Sequence, residues 1–365
     1  MLYLIFFLVC ISGILFHKSR FVRFTVGAYI FIIMALNYQN PDTHSYIAIY
    51  NNPDSAQEEI GFRLLCKFLG KLGLSYNVFH FVIVTIGLIF LVIGIIKISP
   101  NAKRYLGFIG GLYMLCPMMN DIVLVRSFLS GCVVIFAYSY LVNGQKTKYI
   151  LWILLASTLH ISALFWLLLL FVENYKPSKK IKVLVGICII LVYILLNASI
   201  LQNILIRLGF SALKVNLWLN INGVSQRSYL YSIIYHAANT LCFSIVRHYI
   251  ASYCPSREEY SIHLENVLIQ TNNVLMINII LTALSDQFMR ILWLAIIINT
   301  IYYADSLQYV IRLQKRTILK LIALIMPVGM FVYRMFIYTT PNGIIYFDYI
   351  FKDIIDHNLL SMLWI

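Results

Sequence analysis

Charged residues are scarce in this chain. Of its 365 residues, 12% are Asp, Glu, Lys or Arg and 61% are hydrophobic, whereas a typical globular domain has about 25% charged and about 45–50% apolar residues. So few charges cannot cover the surface of a water-soluble protein of this length, which excludes soluble enzymes, DNA-binding modules and disordered tails. Because one crossing needs about 20 apolar residues, the length allows an all-α polytopic membrane protein with roughly ten to twelve spans.

Acidic residues are the scarcer of the two charge types. The chain has 28 Lys and Arg against 14 Asp and Glu, which gives a net charge of +14. In a soluble protein this excess would suggest nucleic-acid binding. In a membrane protein, basic residues instead concentrate in the loops that stay on the cytoplasmic side. We therefore expect no nucleic-acid partner.

Motifs for nucleotide, metal and hydrolase chemistry are absent. The sequence contains no Walker A loop, no G-x-G-x-x-G, H-E-x-x-H or G-x-S-x-G motif, and no D-x-D-like pair that would hold a metal–diphosphate. Its 7 cysteines form neither a C-x-x-C pair nor a Cys/His cluster with metal-ligand spacing. We expect no metal and no cofactor, and a transferase with this sequence is not expected to use a cytosolic nucleotide sugar.

Apolar runs of membrane-span length recur along the chain. The first run is followed rather than preceded by basic residues, which is the opposite of a cleavable signal peptide, so we expect the N-terminus outside. Alternating the runs then places more than half of the basic residues in cytoplasmic loops, as the positive-inside rule requires. The ten predicted spans are approximately residues 2–16, 22–37, 77–97, 105–120, 122–142, 183–201, 229–250, 265–283, 287–305 and 317–338.

Residues 149–172 do not fit this alternation. They are apolar and lie between two basic loops that are both expected inside, so one straight helix would place one of those loops outside. We favour a re-entrant helical hairpin with its turn near His160, and the single helix is the alternative. Polar Ser157 and Ser162 near the turn suit the requirement that non-helical backbone at membrane depth is buried in protein or lines a wet cavity.

Two outer connections are longer than a turn requires, residues 38–76 and residues 202–228. In the first, the apolar residues after Glu59 approximate one helical face, which predicts an interfacial helix. The second is rich in Asn. No internal repeat or low-complexity linker divides the chain, so we treat residues 1–365 as one integral membrane domain.

Two arginines within or beside the predicted spans are candidate binding residues, because charges at membrane depth are costly and usually face a polar cavity. Arg126 could snorkel to the outer interface, pair with Asp121, or hold an anionic lipid headgroup by two hydrogen bonds. Arg290 lies near the outer end of its span. It could likewise snorkel to the outer interface or bind an anionic group.

Three further ionisable residues are candidates for proton transfer. Asp42 and Glu59 are either solvated loop acids or carboxylates that accept the proton of an attacking hydroxyl, and Asp42 could also cap a helix that begins at Thr43. His160 either packs between helices or acts as a group that titrates near neutrality or binds a sugar hydroxyl. Aromatic residues reach 15%. Interfacial belts explain many of them, although several tyrosines would also suit stacking on sugar rings, namely Tyr46, Tyr50, Tyr338, Tyr346 and Tyr349.

Four short motifs follow one another in the first half of the chain. They are Asp42-Thr-His-Ser-Tyr46, Glu59-Ile-Gly-Phe62, Arg126-Ser127 and His160-Ile-Ser-Ala163. This order resembles the EpsG family of bacterial exopolysaccharide proteins and, more broadly, the Wzy-type O-antigen and capsule polymerases, with their D-x3-Y, E-x-x-F, intramembrane R-Q and H-x-S-A patterns. The resemblance covers roughly residues 38–165. Ser127 stands where the family commonly has Gln, which weakens any claim for a paired amide donor.

The resemblance implies a polymerase of lipid-linked oligosaccharide repeat units in the bacterial cytoplasmic membrane. Such an enzyme transfers the growing glycan from undecaprenyl diphosphate to the non-reducing end of a new lipid-linked repeat at the outer face. The family implies an architecture similar to C-type glycosyltransferases, no metal, and a chain-length regulator as a further partner. Whether the product is O-antigen, capsule or exopolysaccharide stays open.

The site residues follow from combining this resemblance with the charge pattern. Arg126 first and Arg290 second are expected to bind diphosphate, and Tyr46 is expected to bind substrate. The catalytic candidates are Asp42, Glu59 and His160. The alternatives are a flippase or transporter of lipid-linked oligosaccharide, and another membrane glycosyl- or acyltransferase. Flippases often have two related halves, whereas these candidates concentrate in the first half.

Overall fold

The computed structural model describes residues 2–56, 58–172, 179–195, 200–207, 209, 226–253, 259–283, 285–310, 312–338 and 343–358. These residues form helices joined by turns, and no strand occurs among them. The predicted all-α fold class is therefore confirmed.

The first part of the chain, to residue 172, folds into helices that match the predicted apolar runs closely. They are α1 (Leu2–Leu15), α2 (Arg20–Ala35), α3 (Thr43–Asn51), α4 (Ile60–Lys71), α5 (Tyr76–Ile98), α6 (Leu106–Leu115), α7 (Met118–Val123), α8 (Val125–Val142), α9 (Lys146–Leu159) and α10 (Leu169–Val172). Two 3-10 segments join them, Pro100–Tyr105 before α6 and Ile161–Leu168 before α10.

The later part of the chain contains the remaining described helices, which include the two longest of those described. They are α11 (Lys179–Leu195), α12 (Ile200–Arg207), α13 (Gln226–Tyr253), α14 (Glu259–Thr282), α15 (Met289–Ser306), α16 (Leu313–Val332) and α17 (Asp353–Asp356). A 3-10 turn, Asp286–Phe288, precedes α15. Two π-helical segments, Tyr333–Ile337 and Phe347–Lys352, flank the last connection.

Helix α8 is the centre of the first part of the chain, and nearly all of its side chains are buried. Helix α5 packs closely against it at Gly94, where an added Cβ would lie 2.9 Å from the backbone nitrogen of Phe136. Any larger residue at Gly94 would therefore push the two helices apart. This contact fixes α8, and with it the position of Arg126 at the start of α8.

Four helical segments among the described residues are long and apolar enough to cross a membrane. They are Tyr76–Ile98, Val125–Val142, Glu259–Thr282 and Gln314–Ile337. The chain is accordingly an all-helical membrane protein by length and composition. The count of about ten spans stays a prediction.

The chain reverses direction within residues 149–172. Helix α9 ends at Leu159, and His160 has an extended backbone, with φ −156° and ψ 124°. The hydroxyl of Tyr149 donates to the carbonyl of Trp166, 17 residues later, at 2.6 Å. One straight helix would separate two such residues by about 25 Å. The segment is thus bent at His160, and its depth in a bilayer stays a prediction.

The two predicted outer connections differ in how much of them the structure describes. Residues 38–76 contain α3 and α4, so the predicted helix after Glu59 is present. In the second connection, residues 208 and 210–225 lie outside the described residues.

Candidate active site

The carboxylate of Glu59 joins three segments that are distant in sequence. One oxygen accepts a hydrogen bond from Nη1 of Arg126 at 2.7 Å, and the other accepts one from the backbone N–H of Ile161 at 2.9 Å. Glu58 lies farther from the same guanidinium, at 4.0 Å. Glu59 therefore ties the outer connection both to the start of α8 and to the turn that follows His160.

The residues after Glu59 explain how α4 comes so near this turn. A Cβ added at Gly61 would overlap the side chain of Thr158 and lie 2.8 Å from its carbonyl oxygen, so only glycine permits the contact between α4 and α9. Phe62 is 1% exposed and packs edge-on against the rings of Tyr46 and Phe79. The motif from Glu59 to Phe62 thus combines an ion-pairing carboxylate, a close helix contact and a buried anchor.

Arg126 is paired with Glu59 rather than with Asp121. The carboxylate of Asp121 instead accepts a hydrogen bond from the hydroxyl of Tyr113 at 2.8 Å. The sequence alternative in which Asp121 neutralises Arg126 is therefore wrong.

The ring of His160 connects the turn to α15. Nη1 of Arg290 lies 2.9 Å from Nε2 of His160. A guanidinium group can only donate, so Nε2 accepts from Arg290 and the ring of His160 is neutral. Its Nδ1 lies 2.8 Å from the hydroxyl oxygen of Ser162 and 3.3 Å from the backbone nitrogen of the same residue. His160 therefore holds Arg290 in place.

Asp42 is a partly buried carboxylate at the start of α3. The helix begins at Thr43, as expected, but the side chain of Asp42 makes no capping hydrogen bond. Burial raises the pKa of Asp42 above its usual value, and the positive charges of Arg290 and Arg126 oppose that shift. Helix capping therefore does not explain why a carboxylate occupies this position.

A cavity of about 340 Å³ opens beside Asp42. Its charged lining residues are one carboxylate and two guanidinium groups, from Asp42, Arg290 and Arg334. Aromatic rings form much of the remaining wall and offer flat apolar faces of the kind that pack against sugar rings. These rings belong to Tyr231, Tyr235, Trp293, Tyr333, Tyr338, Tyr346 and Tyr349.

Arg334 is a cavity residue that is absent from the predicted site. It lies in the π-helical segment that follows α16, and its guanidinium carbon is 4.3 Å from the ring centre of Tyr338 and 4.5 Å from that of Tyr346. The signal that could have indicated it is an arginine inside the predicted span 317–338, beside tyrosines already noted as a surface for sugars.

Tyr46 lies behind the site rather than on its surface. It is 8% exposed, and its ring packs edge-on against that of Phe62. It therefore joins α3 to α4. Direct contact between Tyr46 and substrate stays a prediction.

The structure brings Glu59, Arg126 and the turn at His160 together, and Arg290 links this group to the cavity that contains Asp42. Among the described residues, no group of three His, Cys, Asp or Glu is placed to hold a metal ion. The arrangement provides a partly buried carboxylate, a guanidinium group held by a histidine, and an aromatic wall. It can therefore bind an anionic group next to a potential base.

Comparison with known proteins gives one match. The model of the EpsG family matches residues 20–351, which extends well beyond the four motifs and covers most of the chain. No curated protein and no solved structure matches the chain.

Proposed function

This chain belongs to the EpsG family, and we propose that it is a polymerase of lipid-linked oligosaccharide repeat units. In this proposal it is a glycosyltransferase that moves the growing glycan from undecaprenyl diphosphate to the non-reducing end of a new lipid-linked repeat. Family membership supports a polymerase-like membrane protein of polysaccharide biosynthesis, and the geometry of the site supports the reaction.

The observation that carries the proposal is the placement of Asp42 and Arg290 in one aromatic-lined cavity. Glycosyl transfer from a diphosphate needs a base for the acceptor hydroxyl and a cation for the departing phosphate. It also needs a surface that holds sugar rings. One carboxylate, one fixed guanidinium and several tyrosines supply these parts.

The proposed reaction is a displacement at the anomeric carbon of the donor glycan. The acceptor hydroxyl oxygen forms a bond to that carbon as its proton moves to Asp42. The bond from the carbon to the diphosphate oxygen breaks, and its electron pair stays on the diphosphate, which leaves with the lipid. Arg290 stabilises the negative charge that develops there.

Asp42 is the best placed of the three candidate bases. Both carboxylate oxygens of Glu59 already accept hydrogen bonds, and Nε2 of His160 accepts one from Arg290. The side chain of Asp42 lines the cavity, and burial raises the pKa of this carboxyl, which strengthens its carboxylate as a base. We assign positioning roles to Glu59 and His160.

The two predicted diphosphate-binding arginines also differ in what their side chains contact. Arg290 lines the cavity, whereas the charge of Arg126 is met by the carboxylate of Glu59 at 2.7 Å. We therefore assign the departing diphosphate to Arg290 and give Arg126 the role of fixing Glu59.

The proposal includes the location of the protein in the bacterial cytoplasmic membrane, with about ten spans and an architecture similar to C-type glycosyltransferases. The segments that form the cavity were all predicted on the outer side, which supports a site that faces outward. Undecaprenyl-diphosphate-linked oligosaccharides are the proposed substrates, and a chain-length regulator is a proposed partner.

Replacing Asp42 by Asn tests the proposal in cells. We expect long chains to disappear while single repeats still reach the outer face and accumulate there on lipid, because the base is lost but transport is not. The measurement is a glycan ladder with parallel quantification of the protein in membranes, and exposed Arg20 changed to Gln serves as a control.

Other outcomes of the Asp42→Asn experiment favour the alternatives. Single repeats that stay inside the cell would indicate a flippase. Incomplete repeats would indicate a transferase that acts earlier. Normal chain length at normal protein abundance would contradict the proposed role of Asp42.

A further inference from the structure

Arg334 is the second guanidinium group of the cavity, and aromatic rings surround it. In addition to the rings of Tyr338 and Tyr346, the indole of Trp293 lies 5.9 Å from its guanidinium carbon. Ring faces attract cations and so offset part of the cost of placing a charge in a poorly hydrated site. The three rings therefore stabilise the charge of Arg334.

Among the described residues, the hydrogen bond that Arg334 makes uses its Nε rather than its terminal nitrogens. Nε donates to the side-chain oxygen of Asn120 at 3.3 Å, and Asn120 is itself buried, at 6% exposed. Within the part of the chain that the structure describes, no ion pair involves Arg334. Arg126 differs, because Glu59 neutralises it.

Arg334 also lies next to the proposed reaction centre. Trp293 follows Arg290 by three residues on α15, so the two side chains lie one helical turn apart on the same face. The guanidinium of Arg334 stands over the ring of that tryptophan. Both arginines line the same cavity, and a ligand anchored by Arg334 is one turn away from Arg290.

We propose that Arg334 is an oxyanion-binding residue of this cavity. Its terminal nitrogens hold two oxygens of one anionic group, while Tyr338, Tyr346 and Asn120 keep the guanidinium plane in position. Arginine suits this role better than lysine because its planar fork donates two parallel hydrogen bonds. The identity of the ligand rests on the proposed function: the oxyanion is the diphosphate of a lipid carrier or the carboxylate of an acidic sugar.

A binding experiment with the purified full chain in detergent tests this inference. Inorganic diphosphate and glucuronate are titrated separately by calorimetry into the unsubstituted protein and into Arg334→Gln, Arg334→Lys and Lys97→Gln. Lys97 is a matched control, because its ammonium group also lies over two rings, at 4.7 Å from Phe136 and 5.1 Å from Tyr140, away from the cavity.

We expect Arg334→Gln to weaken binding of one of the two anions by at least about tenfold, the usual effect of removing a hydrogen bond to a charged group. Arg334→Lys should weaken binding less, and Lys97→Gln should leave it unchanged. Diphosphate binding identifies the lipid carrier as the source of the oxyanion, and glucuronate binding identifies an acidic sugar.

The inference is overturned if neither anion binds to the unsubstituted protein, or if Arg334→Gln binds both as tightly as the unsubstituted protein does. Should Arg334→Gln fail to fold, Arg334→Lys decides, since unchanged binding there would exclude the two-point contact. Asp42→Asn distinguishes this outcome from failure of the proposed function. Single repeats that stay inside the cell in that variant, together with lost binding in Arg334→Gln, would remove the polymerase and keep the anion site.

Discussion

Two groups of polar side chains in this apolar protein differ in whether their hydrogen-bonding capacity is used up. The first is the charged site around Asp42, Arg290 and His160. The second, which we call the asparagine ring, consists of Asn239 on α13, Asn272 on α14 and Asn299 on α15. Each asparagine of the ring is at most 2% exposed.

The asparagine ring is closed on itself. The amide nitrogen of Asn239 donates to Asn272 at 3.0 Å, that of Asn272 donates to Asn299 at 3.0 Å, and that of Asn299 donates back to Asn239 at 3.1 Å. Buried polar groups are stable when they are hydrogen-bonded to one another, and such contacts hold membrane helices together. The ring therefore joins three helices and offers little to a ligand.

The charged site is built differently, because part of its charge faces a cavity. Asp42 makes no capping bond, and Arg290, which His160 holds, lines the same cavity. Placing such groups in a poorly hydrated site lowers stability, so their presence there indicates that they bind a ligand or take part in a reaction. The comparison predicts that changes at the site cost activity and that changes in the ring cost stability.

The largest expected effect is at Arg290. Changing it to Gln should lower the polymerisation rate by about 10²–10³-fold, the usual cost of removing one donor that stabilises developing negative charge. The unfolding temperature should change little, because Arg290 lines a cavity and the Gln side chain can also donate a hydrogen bond to His160. Rates on lipid-linked repeats in detergent and thermal unfolding of the same samples measure the two quantities.

Arg290→Lys refines the test, since it keeps the charge but loses the fork and the hydrogen bond to His160. We expect it to retain more activity than Arg290→Gln. A variant Arg290→Gln that unfolds at a much lower temperature and is otherwise active would show that Arg290 is structural, and the comparison would then fail.

Much of the architecture could be predicted from apolar runs and charges. The bend near His160 followed from two basic loops that could not both lie inside with one straight helix between them. Asp42, Glu59, Arg126 and Arg290 stood out as charges that are costly at membrane depth. Membrane burial restricts where a charge can lie, which is why these residues could be singled out, and their roles in the reaction stay predictions.

Pairing between distant segments was not predictable. The ion pair of Glu59 with Arg126 depends on the close contact at Gly61, and no local pattern in the sequence reports which helices meet there. Arg334 was missed for the same reason, since its rings and Asn120 come from three separate segments. The asparagine ring was equally hidden, because an uncharged residue in a span gives no strong signal.

A smaller effect is expected in the asparagine ring. Changing Asn272 to Leu leaves donors and acceptors of Asn239 and Asn299 unpaired, which should cost about 1 kcal/mol of unfolding free energy. Activity per folded molecule should stay unchanged. Unfolding in detergent and the polymerisation assay measure these quantities, and exposed Ser244 changed to Ala is the control.

A triple change to Leu at Asn239, Asn272 and Asn299 sharpens this test. Replacing all partners removes the unpaired groups, so the triple variant should lose less than three times the free energy lost by Asn272→Leu. A strictly additive loss would show that the three amides act independently, and an inactive but stable Asn272→Leu would show that the ring serves the reaction.

The smallest expected effect is the dependence of stability on pH at Asp42. Burial raises the pKa of this carboxyl in the folded state, so between its unfolded and folded pKa values the folded protein binds more protons than the unfolded chain. Stability then falls as pH rises through that interval. Asp42→Asn removes this loss. The variant should therefore unfold at a slightly higher temperature than the unsubstituted protein at about pH 8 and match it near about pH 4, close to the ordinary carboxyl pKa.

Asn272→Leu serves as the control. It changes no titrating group and should lower the unfolding temperature equally at both pH values. If Asp42→Asn were less stable at the higher pH, the carboxylate would be a stabilising contact, and the distinction between the charged site and the asparagine ring would be lost.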